Sequence, residues 1–235
     1  MNAPRTLTAG ALLLGSAVYL AAEAVAAAGW RSPSYSYAEN WISDLGSATS
    51  GVFQGRELDS PLHAVMNTGF VVQGLLMGCA VVLLSRMLVG RTKSSTAVMG
   101  VVIAVGYVLV GTFHGSLQAE QDGTLALHFA GAALAIFGGN TLALVLGLHW
   151  RTFAGTRTLG LLSIVVGALG LLAAVVLMST FNADVPSGLI ERCSVYSIVL
   201  WEILVAVALL RGPVATTTTT AARGVSARPG STGVR

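Results

Sequence analysis

Charged residues are scarce in this chain, and it has only two cysteines. Charged side chains make up 10% of the 235 residues, whereas soluble domains carry about 25%. Cys79 and Cys193 fall in two separate apolar runs, so we expect small buried residues too far apart to form a disulfide. No soluble basic domain is present, which excludes a nucleic-acid partner. The hydrophobic content of 54% indicates instead a protein embedded in the lipid bilayer.

Six apolar runs are long enough to cross a membrane, since about 20 helical residues span the hydrocarbon core. None of the runs shows the sustained alternation of apolar and polar residues that is typical of membrane β-barrels. The predicted fold is therefore all-α, a polytopic transmembrane bundle of six helices. The runs cover residues 7–29, 61–85, 96–114, 125–148, 158–180 and 190–211.

These runs form one transmembrane domain over residues 7–211, which follows a cytoplasmic N-terminus at 1–6. The tail 212–235 is rich in Thr, Arg, Gly and Ser, and this composition predicts disorder in the cytoplasm. The first run exceeds the ~7–15 apolar residues of a signal peptide, and Glu23 interrupts it. We therefore expect this run to be retained as a span.

The longest connection, extracytoplasmic loop 30–60, joins the first two runs and is rich in aromatic residues. It contains Tyr35, Tyr37, Trp41 and Phe53. A loop of this length and composition is expected to fold against the bundle. The alternative is that its aromatic side chains form a belt at the membrane interface.

Lysines and arginines are distributed unequally between the two sides of the predicted bundle. Only Arg31, Arg56 and Arg192 fall on the side of loop 30–60. Since positive charge is retained inside the cell, both termini are predicted to be cytoplasmic, in a multi-pass protein of the cell membrane. The residues on the opposite side are Arg5, Arg86, Arg91, Lys93, Arg151, Arg157, Arg211, Arg223, Arg228 and Arg235.

Polar residues recur at helical spacing on four of the runs. Because polar side chains avoid lipid and small ones let helices approach closely, these stripes are expected to face the bundle interior. They predict a polar mouth at the extracytoplasmic side. Its members are His63, His114, His128 and Glu191, with Asn67 and Tyr107 deeper.

Two carboxyl groups fall well inside the apolar runs, at Glu23 and Glu202. At 1.5 Å per residue, Glu202 lies roughly 16 Å inward from Glu191, near the centre of the bilayer. An ionisable group at that depth is a candidate for a functional role. The alternative is a structural glutamate that is held by hydrogen bonds.

Three imidazoles and a carboxylate can form a zinc site that keeps one position for water. The candidate ligands are His63, His114 and His128, and Asp44 or Glu191 would serve as a further ligand or as a general base. The three histidines come from three separate runs and form no compact motif. Their spacing by itself does not specify a metal site.

Five segments of the chain carry distinctive motifs, NWISDLGS at 40–47, SPLHAVMNTGFVVQGLL at 60–76, LVGTFHGS at 109–116, LHFAGAALAIFGGN at 127–140 and GLIERCSVYSIVLWE at 188–202. In this order they resemble the actinobacterial branch of the domain of unknown function 998 family. The resemblance implies a six-span membrane fold with polar motifs at Asp44, Asn67, His128 and the Glu191–Arg192 pair, and it implies no particular reaction. Many relatives carry a proline-containing segment in place of GTFHGS, which marks His114 as a feature of this branch.

Three functions fit these patterns, and the sequence leaves open whether the chain is an enzyme and which oligomer it forms. The first is binding of a lipid or small molecule through a set of polar residues: Asp44, Asn67, Tyr107, His128, Glu191, Arg192 and Glu202. The second is a metal-dependent membrane hydrolase acting on a lipid or amphiphile, with Asp44 or Glu191 as the catalytic group. The third is an accessory membrane protein without chemistry, in which Asp44 caps a helix or pairs with Arg192.

If the histidines bind zinc, the detergent-purified protein carries about one equivalent of metal. The double variant His63→Ala/His128→Ala then loses it, because two ligands are gone. Elemental mass spectrometry of both proteins measures the metal content. Sub-stoichiometric metal that is unchanged in the variant contradicts the zinc hypothesis.

Overall fold

The computed structural model describes residues 3–149, 156–181, 183 and 185–211. The tail 212–235, for which the sequence predicts disorder, lies outside these residues, as does Arg151 of the basic set. Within the described residues the chain is largely helical.

Six helical segments of the described chain are long and apolar enough to cross a membrane. This confirms the predicted six-helix fold, and α1 and α2 together make the first span. The helices are α1 (Ala3–Ser16), α2 (Val18–Gly29), α3 (His63–Ser85), α4 (Gly90–Thr112), the short α5 (Leu117–Asp122), α6 (Leu125–Leu148), α7 (Arg157–Ser179) and α8 (Ser187–Arg211).

Helix α4 begins at Gly90, six residues before the apolar run that starts at residue 96. The polar residues 91–95 continue the helix beyond its apolar part instead of forming a loop. Gly90 has a φ of +60°, a conformation that glycine adopts without a steric penalty and that turns the chain into the helix.

The first span is interrupted where α1 meets α2. The amide of Ala17 donates to the oxygen of Leu14 at 3.2 Å, and the amide of Leu20 donates to Ala17 at 3.0 Å. Each of these bonds reaches the third preceding residue, as in a 3-10 turn, and not the fourth as in an α-helix. The Ser16 hydroxyl donates to the Leu13 oxygen at 2.6 Å and also contacts Glu202 Oε2 at 2.9 Å. Side-chain bonds to the backbone of this kind commonly accompany bends in helices.

The spans form a closed ring, because neighbours in the chain pack side by side and α8 packs against α1. Glycines allow the closest approach, as between α4 and α6. A Cβ atom on Gly106 would lie 2.6 Å from the Ala135 nitrogen, and one on Gly131 would lie 2.7 Å from Leu109 Cβ. Small residues of this kind allow membrane helices to pack backbone against backbone.

The connection 30–62 folds over one end of this ring, which we call the loop end. It contains a 3-10 helix (Ser43–Gly46) and an antiparallel hairpin of β1 (Gly51–Phe53) and β2 (Arg56–Leu58). Gln54 and Gly55 between the strands have φ values of 49° and 76°. Two left-handed residues match the twist of a tight hairpin.

Apolar residues of the connection are buried in the same core as the spans. Ile42, Leu45 and Phe53 are buried members of that core. Trp30 and Trp41 are also buried, so they are not the exposed members of an interfacial belt. The connection is therefore a folded cover on the bundle.

Cys79 and Cys193 are unpaired, as expected, but both are exposed on the surface of their helices. The expectation of burial was wrong. Both cysteines lie in spans. The outer surface of a span faces lipid, and a weakly polar thiol is acceptable on such a surface.

Candidate functional site

Arg192, near the start of α8, connects two spans and the connection at the loop end. Its Nη1 donates to the backbone oxygens of Tyr37 and Asn40, both at 2.8 Å, and to that of Gly188 at 3.0 Å. Its Nε and Nη2 lie 3.1 and 3.0 Å from Glu23 Oε1. Arg192 and Glu23 thus form a buried ion pair between the first and last spans.

Tyrosines complete the surroundings of this pair. The Tyr35 hydroxyl accepts from Arg192 Nη2 and donates to the Trp41 oxygen at 3.0 Å. Burial raises the pKa of Tyr35 well above its usual range, although Arg192 opposes that shift. The Tyr196 hydroxyl donates to Glu23 Oε2 at 2.9 Å. Arg192 is therefore engaged within the protein, and its role is to hold the connection.

Asp44 organises the 3-10 helix and the hairpin. Its Oδ2 accepts from the Trp41 amide at 2.9 Å and from Arg56 Nε at 2.8 Å. The Arg56 guanidinium also lies 4.5 Å from the centre of the Trp41 ring. Asp44 thus fixes the turn that leads into the 3-10 helix, and it pairs with Arg56, not with Arg192.

Asn67 of the second span and Ser60 of the connection hold the carbonyl groups of the 3-10 helix. Asn67 Nδ2 donates to the Gly46 oxygen at 2.9 Å, and the Ser60 hydroxyl donates to the Leu45 oxygen at 2.6 Å. Carbonyl groups at a helix C-terminus lack partners within the helix. Asn67 therefore contacts the connection through Nδ2, whereas its Oδ1 is buried without a hydrogen-bond partner among the described residues.

The candidate metal ligands lie at the loop end, where two of them contact backbone oxygens, whereas Nδ1 of His114 is buried without a hydrogen-bond partner among the described residues. His63 Nδ1 lies 3.0 Å from the Ser60 oxygen, and His128 Nδ1 lies 2.7 Å from the Phe113 oxygen. Burial lowers the pKa of His114, and nearby His63 lowers it further. Among the residues that the structure describes, no group of three or more His, Cys, Asp or Glu could hold a metal ion. The zinc site stays a prediction that this geometry does not favour.

A cavity of about 390 Å³ lies between α6, α7, α8 and the connection, within the ~300–1,000 Å³ of small-molecule sites. Aromatic and aliphatic side chains form most of its wall, and four residues with polar groups lie among them. The polar set is Trp41, Ser43, His128 and Glu191, and the apolar set is Phe129, Ala132, Ala133, Ile136, Phe137, Ala174, Leu177, Met178 and Phe181.

The cavity lies at the outer surface of the bundle. Met178 of α7 is 66% exposed and Phe181 is 38% exposed. The Phe181 ring stands edge-on to Trp41 at 5.4 Å and to Phe129 at 5.9 Å between ring centres. An aromatic rim thus borders the cavity at the loop end, while its apolar wall continues along α6 and α7.

A second, much smaller cavity of about 30 Å³ continues inward from the first. The two share Ser43 and Glu191, and the smaller one reaches Tyr19 and Tyr107. A space of that size holds about one water molecule. Tyr107 therefore lies beneath the larger cavity and does not line it.

Glu202 belongs to a separate polar cluster inside the bundle. Its two oxygens accept from Gln73 Nε2 at 3.0 and 2.8 Å, and Oε2 lies 2.9 Å from the Ser16 hydroxyl oxygen. Glu202 is completely buried. These contacts correspond to the hydrogen-bonded structural glutamate.

The predicted set of ligand-binding residues therefore separates into three groups. Glu191 and His128 line the larger cavity, Asp44, Asn67 and Arg192 hold the connection, and Tyr107 and Glu202 lie deeper. Sequence reasoning missed the partners of these groups: Ser16, Tyr35, Arg56 and Gln73. Ser16 and Gln73 carried a signal, since each is a polar residue inside an apolar run.

A family model described as "Protein of unknown function (DUF998)" matches residues 13–208, and the chain belongs to that family. The match confirms the resemblance found in the sequence and extends across the six spans. No curated protein and no solved structure matches the chain significantly.

Replacing Arg192 by Met is expected to lower the free energy of unfolding by about 3–5 kcal/mol, because the change leaves Glu23 buried without its partner. Thermal unfolding in detergent and limited proteolysis of the connection measure this. The control is Arg31→Met, at an exposed arginine of the same connection. Equal stability of the two variants would contradict the role of Arg192.

Proposed function

We propose that this member of the domain of unknown function 998 family binds an amphiphile from the bilayer in the larger cavity. The observation that carries the proposal is the make-up of that cavity. Its wall on α6 and α7 is apolar, while His128, Ser43 and Glu191 supply polar groups. An amphiphile has the same division between a tail and a headgroup.

Access from the bilayer follows from the position of the cavity. Ala133 and Met178 belong to spans, line the cavity and are exposed. Exposed surfaces of membrane spans contact lipid tails, so a chain can enter sideways without crossing water. The tail would then lie along α6 and α7, with its headgroup beneath the connection.

Hydrolysis is the second candidate, and the contacts of its proposed catalytic groups favour it less. Asp44 accepts from the Trp41 amide and pairs with Arg56. One oxygen of Glu191 accepts from the Ile42 amide. An accessory role explains how the residues that hold the connection are used, but it gives no role to a cavity with polar groups.

The orientation in the cell membrane is part of this proposal. The connection between α3 and α4 carries Arg86, and Arg91 and Lys93 follow in the first turn of α4. Segments rich in lysine and arginine remain in the cytoplasm. Both termini would then be cytoplasmic, and the loop end would face outward.

In a background with Cys79 and Cys193 replaced by serine, single cysteines test this orientation. A membrane-impermeant maleimide is expected to label Glu57→Cys on intact cells and to label Ser94→Cys only after lysis. Both positions are exposed, so access to the reagent depends on the side of the membrane. The reverse pattern would place the loop end inside the cell.

Ala133→Phe tests binding in the cavity, with Ala130→Phe as the control. Both alanines are exposed on α6, but only Ala133 lines the cavity. The probes are a photoactivatable long-chain alcohol and an alkyl phosphate with the same tail. Excluding two methylene groups, at about 0.8 kcal/mol each, is expected to weaken binding roughly tenfold in Ala133→Phe.

Photo-crosslinking in nanodiscs, followed by peptide mapping of α6 and α7, measures this binding. The control variant should crosslink like the unmodified protein. If neither probe crosslinks to the cavity wall, or if both variants behave alike, the proposed function fails.

A further inference from the structure

The polar groups of the larger cavity are mainly hydrogen-bond acceptors. His128 shows this most clearly, because its Nδ1 lies 2.7 Å from the Phe113 carbonyl oxygen. A carbonyl can only accept, so Nδ1 must carry the proton. In the neutral ring the other nitrogen, Nε2, is then an acceptor, and no described residue donates a hydrogen bond to it.

In its ionised form, Glu191 adds further acceptor capacity on the same wall. One of its oxygens accepts from the Ile42 amide, whereas the other has no hydrogen bond to any residue that the structure describes. The Ser43 hydroxyl also lines the cavity and forms no hydrogen bond within the described chain. A hydroxyl both donates and accepts, so Ser43 adapts to either kind of ligand group.

The described wall of the cavity also lacks cationic side chains. None of the described residues that line the cavity is an arginine or a lysine. The nearby Arg56 is paired with Asp44 at 2.8 Å, and Arg192 is paired with Glu23 at 3.0 Å. Sites for phosphate use arginine, lysine or clustered amide donors, and the described wall contains neither arginine nor lysine.

The charged groups around the cavity are present as ion pairs, Asp44 with Arg56 and Glu23 with Arg192. Burying an anion is costly where no unpaired cation compensates for the loss of water. A ligand that donates hydrogen bonds and carries no negative charge fits this surface.

We infer that the cavity selects amphiphiles whose headgroup donates hydrogen bonds, an alcohol or an amine, and discriminates against phosphate headgroups. The inference rests on the proposed function and adds the ligand class. The donor would lie between His128 Nε2 and the free oxygen of Glu191, with the Ser43 hydroxyl beside it.

Competition at one pH near neutrality tests the inference. The full chain, in nanodiscs of uncharged lipid, is crosslinked to the photoactivatable long-chain alcohol. Unlabelled alcohol, amine and alkyl phosphate with the same tail then compete for the site. The alcohol and the amine are expected to compete at mole fractions at least about tenfold lower than the phosphate, which corresponds to one lost hydrogen bond of about 1.4 kcal/mol.

Glu191→Gln tests the assignment of the acceptor. The amide oxygen can still accept from Ile42, while the NH₂ group turns an acceptor of the wall into a donor. The variant is expected to lose most of the discrimination against phosphate. Glu39→Gln, at an exposed position of the connection, is the matched control and should keep it.

Ser43→Ala provides a second variant, which removes no hydrogen bond of the described protein. It is expected to weaken alcohol binding several-fold, while the thermal stability stays unchanged. Equal or stronger competition by the phosphate overturns the inference. If Ala133→Phe still weakens crosslinking in that case, the proposed function survives and only the ligand class is wrong.

Discussion

A guanidinium group has five N–H donors and keeps its charge under all ordinary conditions, so a buried arginine forces its surroundings to supply acceptors. Arg192 is 4% exposed, and its acceptors come from the first span, the connection and its own helix. Each contact is local, yet together they fix how the connection enters and leaves the bundle. The loop end is built around this requirement.

The cavity is a consequence of that arrangement. Trp41 and Ser43 reach its wall because Asp44 fixes the turn between them and the Ile42 amide is bound to Glu191. The polar residues at the loop end thus divide their roles. Some hold the backbone of the connection, and the few that remain face the space which the connection helps to enclose.

The spans could be predicted because each must cross an apolar layer about 30 Å thick, and that need is visible in any run of 20 apolar residues. Helical spacing also placed Glu191 and His128 on the correct interior side. The pairing of Asp44 with Arg56 could not be predicted, since it depends on the register of a hairpin that turns at Gln54 and Gly55.

The residues of the cavity wall could not be predicted from the sequence for a different reason. In a membrane protein, an apolar residue that lines a cavity and one that faces lipid have the same composition and the same spacing. Phe129 and Phe137 therefore look like ordinary members of a span. A histidine stripe likewise shows which face of a helix is polar but not how far its nitrogens lie from those of the next helix.

The ion pair between Glu23 and Arg192 also depends on the order in which the chain is synthesised. The two residues are separated by 169 positions, so a ribosome releases the carboxylate with the first span and the guanidinium only with the last. Ser16 is likewise synthesised long before its partner Glu202, which lies 186 positions later in the chain. Until the final helix enters the membrane, the first span holds polar groups without their eventual partners. The newly made chain can therefore close its ring only at the end of synthesis, and an incomplete product keeps an unpaired carboxyl group in the first span.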